Sequence, residues 1–150
     1  AFHAGLRLEL SVKGDLHVDM HHVVEDTAIV LGKALAQALD KGGPVARYAC
    51  SFVPMDDALA RTVIDISGRP YLSYSDGGLS QKNMPGFDAS LIPEFLRAFA
   101  FNSGMTLHAR VEYGDNAHHM AEALFKSLGR ALKQAVYPAD GVLSTKGILD

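Results

Sequence analysis

Apolar residues recur every three or four positions in three stretches of the chain, which span 20–39, 89–101 and 117–136. A spacing near 3.6 residues places such side chains on one side of a helix, so each stretch is predicted to be an amphipathic helix. The first stretch runs into the sequence KGGP at 41–44. Glycine and proline of this kind end helices, which fixes the end of the first element.

A second pattern, strict alternation of apolar and polar residues, marks the predicted strands. Leu6, Leu8, Leu10 and Val12 alternate with polar residues, so 6–13 is predicted to be a half-buried strand. Similar patterns and turn residues predict the remaining elements, which are strands at 46–53 and 105–113, a helical turn at 56–60, a hairpin of 62–66 with 71–74, and a glycine-rich polar loop at 76–87.

The chain contains an internal repeat. HHVVEDTAIVLGKALAQAL, which begins at His21, aligns with HHMAEALFKSLGRALKQAV, which begins at His118, and nine of the nineteen positions are identical. Ordinary composition would give about one or two identities. The shared residues include both histidines and the glutamate that follows them. Asp19 and Asn116 precede the two segments and are predicted to be helix N-caps.

The repeat extends upstream, because AFHAGLRLELSV at 1–12 matches AFNSGMTLHARV at 100–111. Ala1 and Phe2 therefore correspond to the last turn of the second predicted helix. Since strands precede that helix, the repeat predicts roughly 40 to 50 further residues of strand, strand and helix ahead of Ala1, in a longer parent protein. The predicted organisation is a single domain made of an incomplete first half at 1–45, a complete second half at 46–140, and a C-terminal tail at 141–150.

Fold class and broad function class follow from these units and from composition. Duplicated strand–helix half-units predict an α+β fold with helices packed on one face of a mainly antiparallel sheet. The 150 residues are 48% hydrophobic and 21% charged, as in a globular domain, and the net charge of -3 argues against nucleic-acid binding. No apolar run approaches the ~18 residues of a membrane span. Cys50 lies in an apolar run and is predicted to be a buried thiol in a reducing, cytoplasmic compartment.

Each repeat begins its predicted helix with two adjacent histidines and a glutamate one turn later. The six residues are His21, His22, Glu25, His118, His119 and Glu122. Side chains three and four positions apart share a helix face. Imidazole nitrogen and carboxylate oxygen together suit Mn²⁺, Fe²⁺ or Zn²⁺. Because adjacent histidines diverge by roughly 100°, each pair is expected to serve two different ions or to bridge to a neighbouring subunit.

Two plainer explanations stay open. Each histidine pair is a surface dipeptide with an ordinary His–Glu contact, or the shared residues simply reflect duplication. Against duplication alone, ten of the nineteen positions have diverged while both histidine pairs and both glutamates are kept. The copies also differ at Lys126, whose counterpart is Ile29. A lysine one turn after Glu122 is either part of a phosphate-binding end of the site or a solvated surface residue.

Several long motifs, all in order, resemble those of imidazoleglycerol-phosphate dehydratases across essentially the whole chain. They are GDLHVDMHHVVEDTAIVLGKAL, VPMDDALARTVIDISGRPYL, SGMTLHARVEYGDNAHHMAEALFKSLGRALKQA and STKG. The resemblance implies a fold of the ribosomal protein S5 domain 2-like type, and trimers that build a 24-subunit shell with active sites between subunits. It also implies a cytoplasmic enzyme of histidine biosynthesis. Such an enzyme removes water from D-erythro-imidazole-glycerol phosphate to give imidazole-acetol phosphate, with two Mn²⁺ ions that activate the imidazole ring.

The same resemblance assigns roles to individual residues. It implies that the six histidines and glutamates of the HHxxE motifs, together with Glu94, bind metal. It implies that Glu25 and Glu122 act in catalysis. The residues that it implies for substrate binding are Arg47, Arg69, Lys126, Ser144, Thr145 and Lys146.

The sequence departs from the family pattern in three places. Met20 stands where an aspartate is usual, and Leu143 stands where a proline is usual. The family's N-terminal segment, with an HML-type metal histidine and an acidic residue near the substrate, has no counterpart in these residues. Two other functions therefore stay open. One is a non-catalytic or impaired metal-binding or assembly fragment of this family, and the other is a metal-dependent hydrolase that uses the same ligands.

Overall fold

The computed structural model describes residues 1–15 and 17–141. Short 3-10 turns lie at Phe2–Ala4 and Leu79–Gln81. No helix in the described part of the chain combines the length and apolar character needed to cross a membrane. The helices and strands are α1 (His21–Gly42), β1 (Tyr48–Met55), β2 (Ala58–Asp65), β3 (Tyr71–Ser75), α2 (Leu91–Ser103), β4 (Thr106–Tyr113) and α3 (Ala117–Ala135).

The four strands form one mixed sheet in the order β1-β2-β4-β3. β1 and β2 are antiparallel neighbours joined by a tight turn at Asp56 and Asp57, and β2 is also antiparallel to β4. β3 is parallel to β4, and α2 supplies the long crossover that parallel neighbours require. The predicted α+β fold with a mainly antiparallel sheet is therefore confirmed.

The core lies between the helices and one face of the sheet. α3 crosses β1, β2 and β4, α2 packs against β3, and α1 lies along α2. The sequence of β2 matches this position between the helices and the sheet face, because alternate residues are buried along its whole length. Burial of a large apolar side chain contributes about 1.5–3 kcal/mol. The largest fully buried apolar side chains are Ile64, Leu79, Ile92, Leu96, Met105, Leu107, Met120 and Leu124.

The beginning of the chain reproduces the end of α2. α2 ends at Gly104, which has a left-handed φ of 69°, and the 3-10 turn Phe2–Ala4 ends at Gly5, which has a φ of 65°. Glycine adopts this conformation without the steric cost that a side chain brings. The two glycines are matched in the sequence repeat, and both adopt the same left-handed conformation after a helical turn.

The contact that follows each of these ends is also repeated. Gly32 of α1 lies against Asn102 near the end of α2, and Gly129 of α3 lies against His3 in the first turn. A Cβ added at either glycine would lie within 3.1 Å of the facing Cβ. The first residues therefore take the place beside α3 that the end of α2 takes beside α1.

Most predicted elements are present, but the helical turn at 56–60 and the hairpin of 62–66 with 71–74 are not. The three helices and the strands predicted at 46–53 and 105–113 are confirmed, with their ends moved by three residues or fewer. Residues 56–60 form no helical turn, because Asp56 reverses the chain with a φ of 45° and β2 starts two residues later. The predicted hairpin of 62–66 with 71–74 does not exist, because β4 lies between those two strands.

The strand predicted at 6–13 is also absent. This segment is not part of a strand, and its alternating Leu6, Leu8, Leu10 and Val12 are 42–50% exposed. An extended segment becomes a stable strand when a neighbouring strand pairs with its backbone groups. Within residues 1–15 and 17–141 no segment pairs with 6–13, so the alternating pattern does not produce a strand.

Cys50 is exposed, and the prediction of a buried thiol is wrong. Its apolar run is strand β1, in which successive side chains point to opposite faces of the sheet. Ser51 and Val53 are buried towards the helices, whereas Cys50 and Phe52 lie on the other face. An apolar run in a strand covered on one face therefore leaves half of its residues exposed.

Candidate metal centre

The start of α3 is fixed by Asn116. The side-chain oxygen of Asn116 accepts hydrogen bonds from the backbone N–H groups of His118 (2.9 Å) and His119 (3.2 Å). Such a cap satisfies backbone donors that lack a partner within the helix. It places both histidines in the first turn and Glu122 one turn later, as the sequence predicts.

His118, Glu122 and Lys126 form a line along α3. Nε2 of His118 is 3.5 Å from Oε2 of Glu122, while Oε1 of Glu122 accepts a hydrogen bond of 2.7 Å from Nζ of Lys126. That hydrogen bond is the main reason why the pKa of Glu122 lies below its ordinary value. Glu122 is thereby kept in the ionised form that binds metal ions. Nζ of Lys126 also lies 3.5 Å from Sδ of Met55 at the end of β1.

His119 faces the turn between β1 and β2. Its Nδ1 is 2.5 Å from Oδ1 of Asp57, and its Nε2 is 3.7 Å from Oδ2 of Asp56. The hydrogen bond raises the pKa of His119 and, with backbone N–H groups of Asn116 and Asp115, lowers the pKa of Asp57. One edge of the ring is therefore held by a carboxylate, and the other edge carries the nitrogen available to a ligand.

The start of α1 has a looser arrangement. Met20 occupies the cap position, and Oδ1 of Asp19 accepts a 2.7 Å hydrogen bond from the backbone N–H of His21. Nε2 of His21 lies 4.0 Å from Oε2 of Glu25, and the His22 ring stands edge-on to that of His21. In the described residues the ring of His22 makes no hydrogen bond. The i,i+4 His–Glu pair is therefore present in both repeats, with the closer contact in the second.

Two other predicted site residues, Glu94 and Arg69, contact residues that do not belong to the His–Glu pairs at the helix starts. Glu94, on α2, is 4.0 Å from Nη2 of Arg97 one turn along the same helix. Arg69 is exposed in the turn after β2, and its backbone oxygen accepts a hydrogen bond from Thr106. Their implied roles stay predictions. The remaining predicted residues, Ser144, Thr145 and Lys146, lie outside the described residues.

Arg47 is held at the start of β1. It is 7% exposed, its Nε donates a 2.7 Å hydrogen bond to Oδ1 of Asp65, and its guanidinium lies over the ring of Tyr48. The hydrogen bond to Asp65 raises the pKa of the guanidinium above its ordinary value. The implied contact of Arg47 with substrate stays a prediction. The structure shows an ion pair between Arg47 and Asp65, which the sequence did not predict.

The donor types fit a divalent ion in kind but not in number. Imidazole nitrogens and carboxylate oxygens are suitable ligands for Mn²⁺, Fe²⁺ or Zn²⁺. Among residues 1–15 and 17–141, however, no three His, Cys, Asp or Glu side chains converge as a metal site requires. Each helix start offers a pair of donors, so a full coordination sphere needs donors from elsewhere.

Sequence reasoning missed Asp56 and Asp57. Both belong to VPMDDALA, a motif that carried the family resemblance without a role for either aspartate. Two adjacent aspartates between apolar runs are typical of a turn between strands. That signal places them in a loop, but it does not predict the contact between Asp57 and His119, which lie 62 positions apart in the chain.

Comparison with known proteins agrees with the fold and the motifs. Residues 1–132 match the model of the imidazoleglycerol-phosphate dehydratase family. The chain is 54% identical over 152 aligned positions to the imidazoleglycerol-phosphate dehydratase of Clostridium botulinum (strain Kyoto / Type A2), which covers 99% of this chain and 77% of that protein. The enzyme of the same name from Acetivibrio thermocellus is 49% identical over the same shares of the two chains.

Solved structures of imidazoleglycerol-phosphate dehydratases are similar to this chain as well. The crystal structure of imidazoleglycerol-phosphate dehydratase from Staphylococcus aureus N315 superposes with a TM-score of 0.85 and 42% identity, over 92% of this chain and 77% of that one. The Pyrococcus furiosus enzyme superposes with a TM-score of 0.75 and 40% identity, over 86% and 71%. Family model, relatives and fold agree, and the chain belongs to the imidazoleglycerol-phosphate dehydratase family.

Proposed function

We propose that this chain dehydrates D-erythro-imidazole-glycerol phosphate to imidazole-acetol phosphate, a step of histidine biosynthesis, with two divalent metal ions held at the starts of α1 and α3. The observation that carries the proposal is the His–Glu pair at i,i+4, present at both helix starts in a chain 54% identical to a dehydratase. Mn²⁺ is the expected ion, with Fe²⁺ or Zn²⁺ as substitutes.

The chain's own residues supply ligands, charge and proton transfer. A bound divalent ion would supply positive charge that favours loss of the imidazole ring proton. The reaction breaks a C–H bond and the C–O bond of the hydroxyl next to the ring, and it releases water. Glu25 and Glu122 are the candidates for moving the carbon-bound proton. The hydrogen bond from Lys126 lowers the pKa of Glu122, which keeps Glu122 in the ionised form that binds metal.

Cationic side chains are suited to the substrate phosphate, although Arg47 lies by the last residue of α3, Ala135, and not by a helix start. Lys126 already carries positive charge beside Glu122, and Arg69 is exposed after β2. Arg47 is held by hydrogen bonds from its guanidinium to Asp65. Together with Ser144, Thr145 and Lys146, these residues form the proposed substrate-binding set.

The incomplete donor set supports a site shared between copies of the chain. Two donors at each helix start need partners, so we infer that neighbouring subunits complete the coordination, in trimers that build a 24-subunit shell. Analytical ultracentrifugation with and without Mn²⁺ tests this inference. Large assemblies that depend on Mn²⁺ are expected, and a monomer that binds the ion with full affinity would contradict it.

Turnover by the purified chain with Mn²⁺, followed as imidazole-acetol phosphate by mass spectrometry, tests the function. His22→Ala and His119→Ala are each expected to lower turnover by at least about 100-fold and to reduce bound metal. His108→Ala is the matched control, because His108 is exposed on β4 beside Tyr71 and away from both helix starts.

The alternatives give different results in the same assay. Unchanged turnover in both His→Ala variants would reject the metal site. Metal binding without turnover in the wild type would favour a non-catalytic or impaired assembly fragment. Release of inorganic phosphate from the substrate in place of imidazole-acetol phosphate would favour a hydrolase.

A further inference from the structure

We propose that Asp57 is a positioning residue of the second metal-binding helix start, with one carboxylate oxygen fixing the His119 ring and the other fixing the backbone from which α3 begins. The proposal rests on the metal function proposed above and adds a residue to which no role has been given. Three contacts carry it, and all of them come from the short turn between β1 and β2.

The contact with the ring decides which nitrogen is available. An ionised carboxylate only accepts hydrogen bonds, so the 2.5 Å contact between Oδ1 of Asp57 and Nδ1 of His119 requires the proton on Nδ1. The neutral ring then has its lone pair on Nε2, the nitrogen that lies 3.7 Å from Oδ2 of Asp56. A carboxylate on one ring nitrogen is the usual support of a histidine that binds metal through the other.

The second oxygen links the same carboxylate to the helix. Oδ2 of Asp57 accepts hydrogen bonds from the backbone N–H groups of Asp115 (2.6 Å) and Asn116 (2.9 Å). Asn116 in turn caps the helix by accepting from the N–H groups of both histidines. Ring orientation and helix start are therefore set by one side chain, which limits the motion of Nε2 relative to Glu122.

The first repeat lacks this device in the described part of the chain. Asp19 accepts from the backbone N–H of His21, and within residues 1–15 and 17–141 no hydrogen bond or ion pair joins the ring of His22 to a carboxylate. The two helix starts are thus unequal. His119 is oriented by its own chain before any ion binds, whereas His22 is not.

Asp57→Asn tests the proposal without removing the contact to the helix. The two backbone N–H groups need an acceptor, so the amide oxygen of the new side chain turns to them and its NH₂ group faces the ring. Nδ1 must then accept, and the proton moves to Nε2, which blocks the metal-binding nitrogen. Asp115→Asn is the matched control, because it removes the same charge next to α3 without touching the ring.

Two measurements are made on each protein. Long-range ¹⁵N–¹H spectra of the metal-free chain at about pH 9, where the imidazole is neutral, identify the His119 tautomer, with His119→Gln to assign the signals. Calorimetric titration with Mn²⁺ gives the affinity. We expect an Nδ1–H ring in the wild type and in Asp115→Asn, an Nε2–H ring in Asp57→Asn, and Mn²⁺ binding weakened by about 10- to 100-fold in Asp57→Asn alone.

The outcomes separate this proposal from the metal function. An Nε2–H ring in the wild type overturns the role of Asp57, and so does Mn²⁺ binding that is equally tight in Asp57→Asn and Asp115→Asn. A wild type that binds no Mn²⁺ rejects the proposed metal function, and the tautomer then decides the positioning role by itself. The wild-type spectrum also decides it if Asp57→Asn does not fold.

Discussion

The two helices of the repeat, α1 and α3, share nine of nineteen aligned residues but are buried very differently. Ala131 and Ala135 of α3 are completely buried in the core. Their counterparts, Ala34 and Ala38 of α1, are exposed. The identities lie in the same positions of the helical period, so the difference does not come from the sequence of the helix itself.

The difference comes from the sheet. α3 crosses three strands, and β4, the strand just before it, is paired on both sides by β2 and β3. α1 lies mainly along α2, and residues 6–13, which correspond to β4, are unpaired in the described part of the chain. An apolar helical pattern therefore predicts which face of the helix can be buried. Whether that face is buried depends on the sheet beside it. The Clostridium botulinum relative is longer than this chain, which spans 77% of its length.

The largest expected effect comes from placing a charge on the equivalent face of each helix. Ala131→Asp puts an unpaired carboxylate into the core and is expected to lower the free energy of unfolding by about 3 kcal/mol or more. Ala34→Asp loses the same helix propensity at an exposed position and is expected to cost less than about 1 kcal/mol. Urea denaturation followed by circular dichroism measures both. Equal losses would contradict the comparison and would mean that another chain covers α1 in solution.

A smaller effect is expected from exchanging one residue between the repeats. Ser127, fully buried on α3, donates to the backbone oxygen of Leu124 and lies 2.7 Å from the hydroxyl of Thr62 on β2. Its single hydrogen is used, so Thr62 must be the donor to Ser127. Ser127→Val leaves that buried donor without a partner and is expected to cost about 1–3 kcal/mol.

The reverse exchange is the control for this prediction. Val30 is the counterpart of Ser127 and is 59% exposed, so Val30→Ser is expected to change stability by less than about 0.5 kcal/mol. Thermal unfolding of the two single variants tests both statements. The double variant Ser127→Val with Thr62→Val should recover part of the loss, because neither partner then lacks a hydrogen bond.

The local features of this fold were predictable, because they depend on residues close in the chain. The 3.6-residue period identified α1, α2 and α3, and the spacing of His118 and Glu122 placed them on one helix face. The alternation at 6–13 predicts a strand by the same kind of pattern, yet no strand forms there. Pattern alone does not report whether a pairing strand is present.

The features that sequence reasoning missed depend on contacts between distant segments. Insertion of β4 between β2 and β3 replaced the predicted hairpin, and only the crossover through α2 makes that order possible. Asp57 reaches His119 across 62 residues because the β1–β2 turn ends beside the start of α3. Two adjacent aspartates are typical of a turn between strands, but the sequence analysis predicts a helical turn there and does not indicate which element the turn faces.

A third, smaller effect concerns the two helix glycines that face the repeated contact. A Cβ at Gly32 would lie 2.8 Å from the backbone oxygen of Phe99, so α1 and α2 must move apart. The crowding outweighs the helix propensity of about 1 kcal/mol gained by alanine, and Gly32→Ala is expected to cost a net amount of about 1 kcal/mol. At Gly129 the nearest atom is Cβ of His3 at 3.1 Å, in a short turn that can yield.

Gly129→Ala is therefore expected to leave stability unchanged or to raise it by up to about 1 kcal/mol. Urea midpoints of the two variants, compared with the wild type, give the answer. A loss at Gly129 as large as that at Gly32 would show that the first turn is held to α3 as firmly as α2 is held to α1.

The smallest expected effect is a pH dependence that belongs to the second repeat. The hydrogen bond to Asp57 raises the pKa of His119 above 6.5, so its stabilisation is complete below about pH 6.5 and is lost as the pH rises through the raised value. The hydrogen bonds of Asp57, first that of His119, lower its pKa below 3.8, so its stabilisation is present above about pH 3.8 and is lost as the pH falls towards the lowered value.

The pair should therefore contribute most between about pH 4 and 6.5 in the metal-free chain. The difference in unfolding free energy between the wild type and Asp57→Asn is expected to be largest in that window and to decline on both sides. Urea denaturation at a series of pH values measures the difference, with Asp115→Asn as the control for loss of one charge. A difference that does not change between pH 4 and 9 would mean that Asp57 holds only the backbone of α3, because those N–H groups do not titrate, and that the ring contact unique to the second repeat has no energetic consequence.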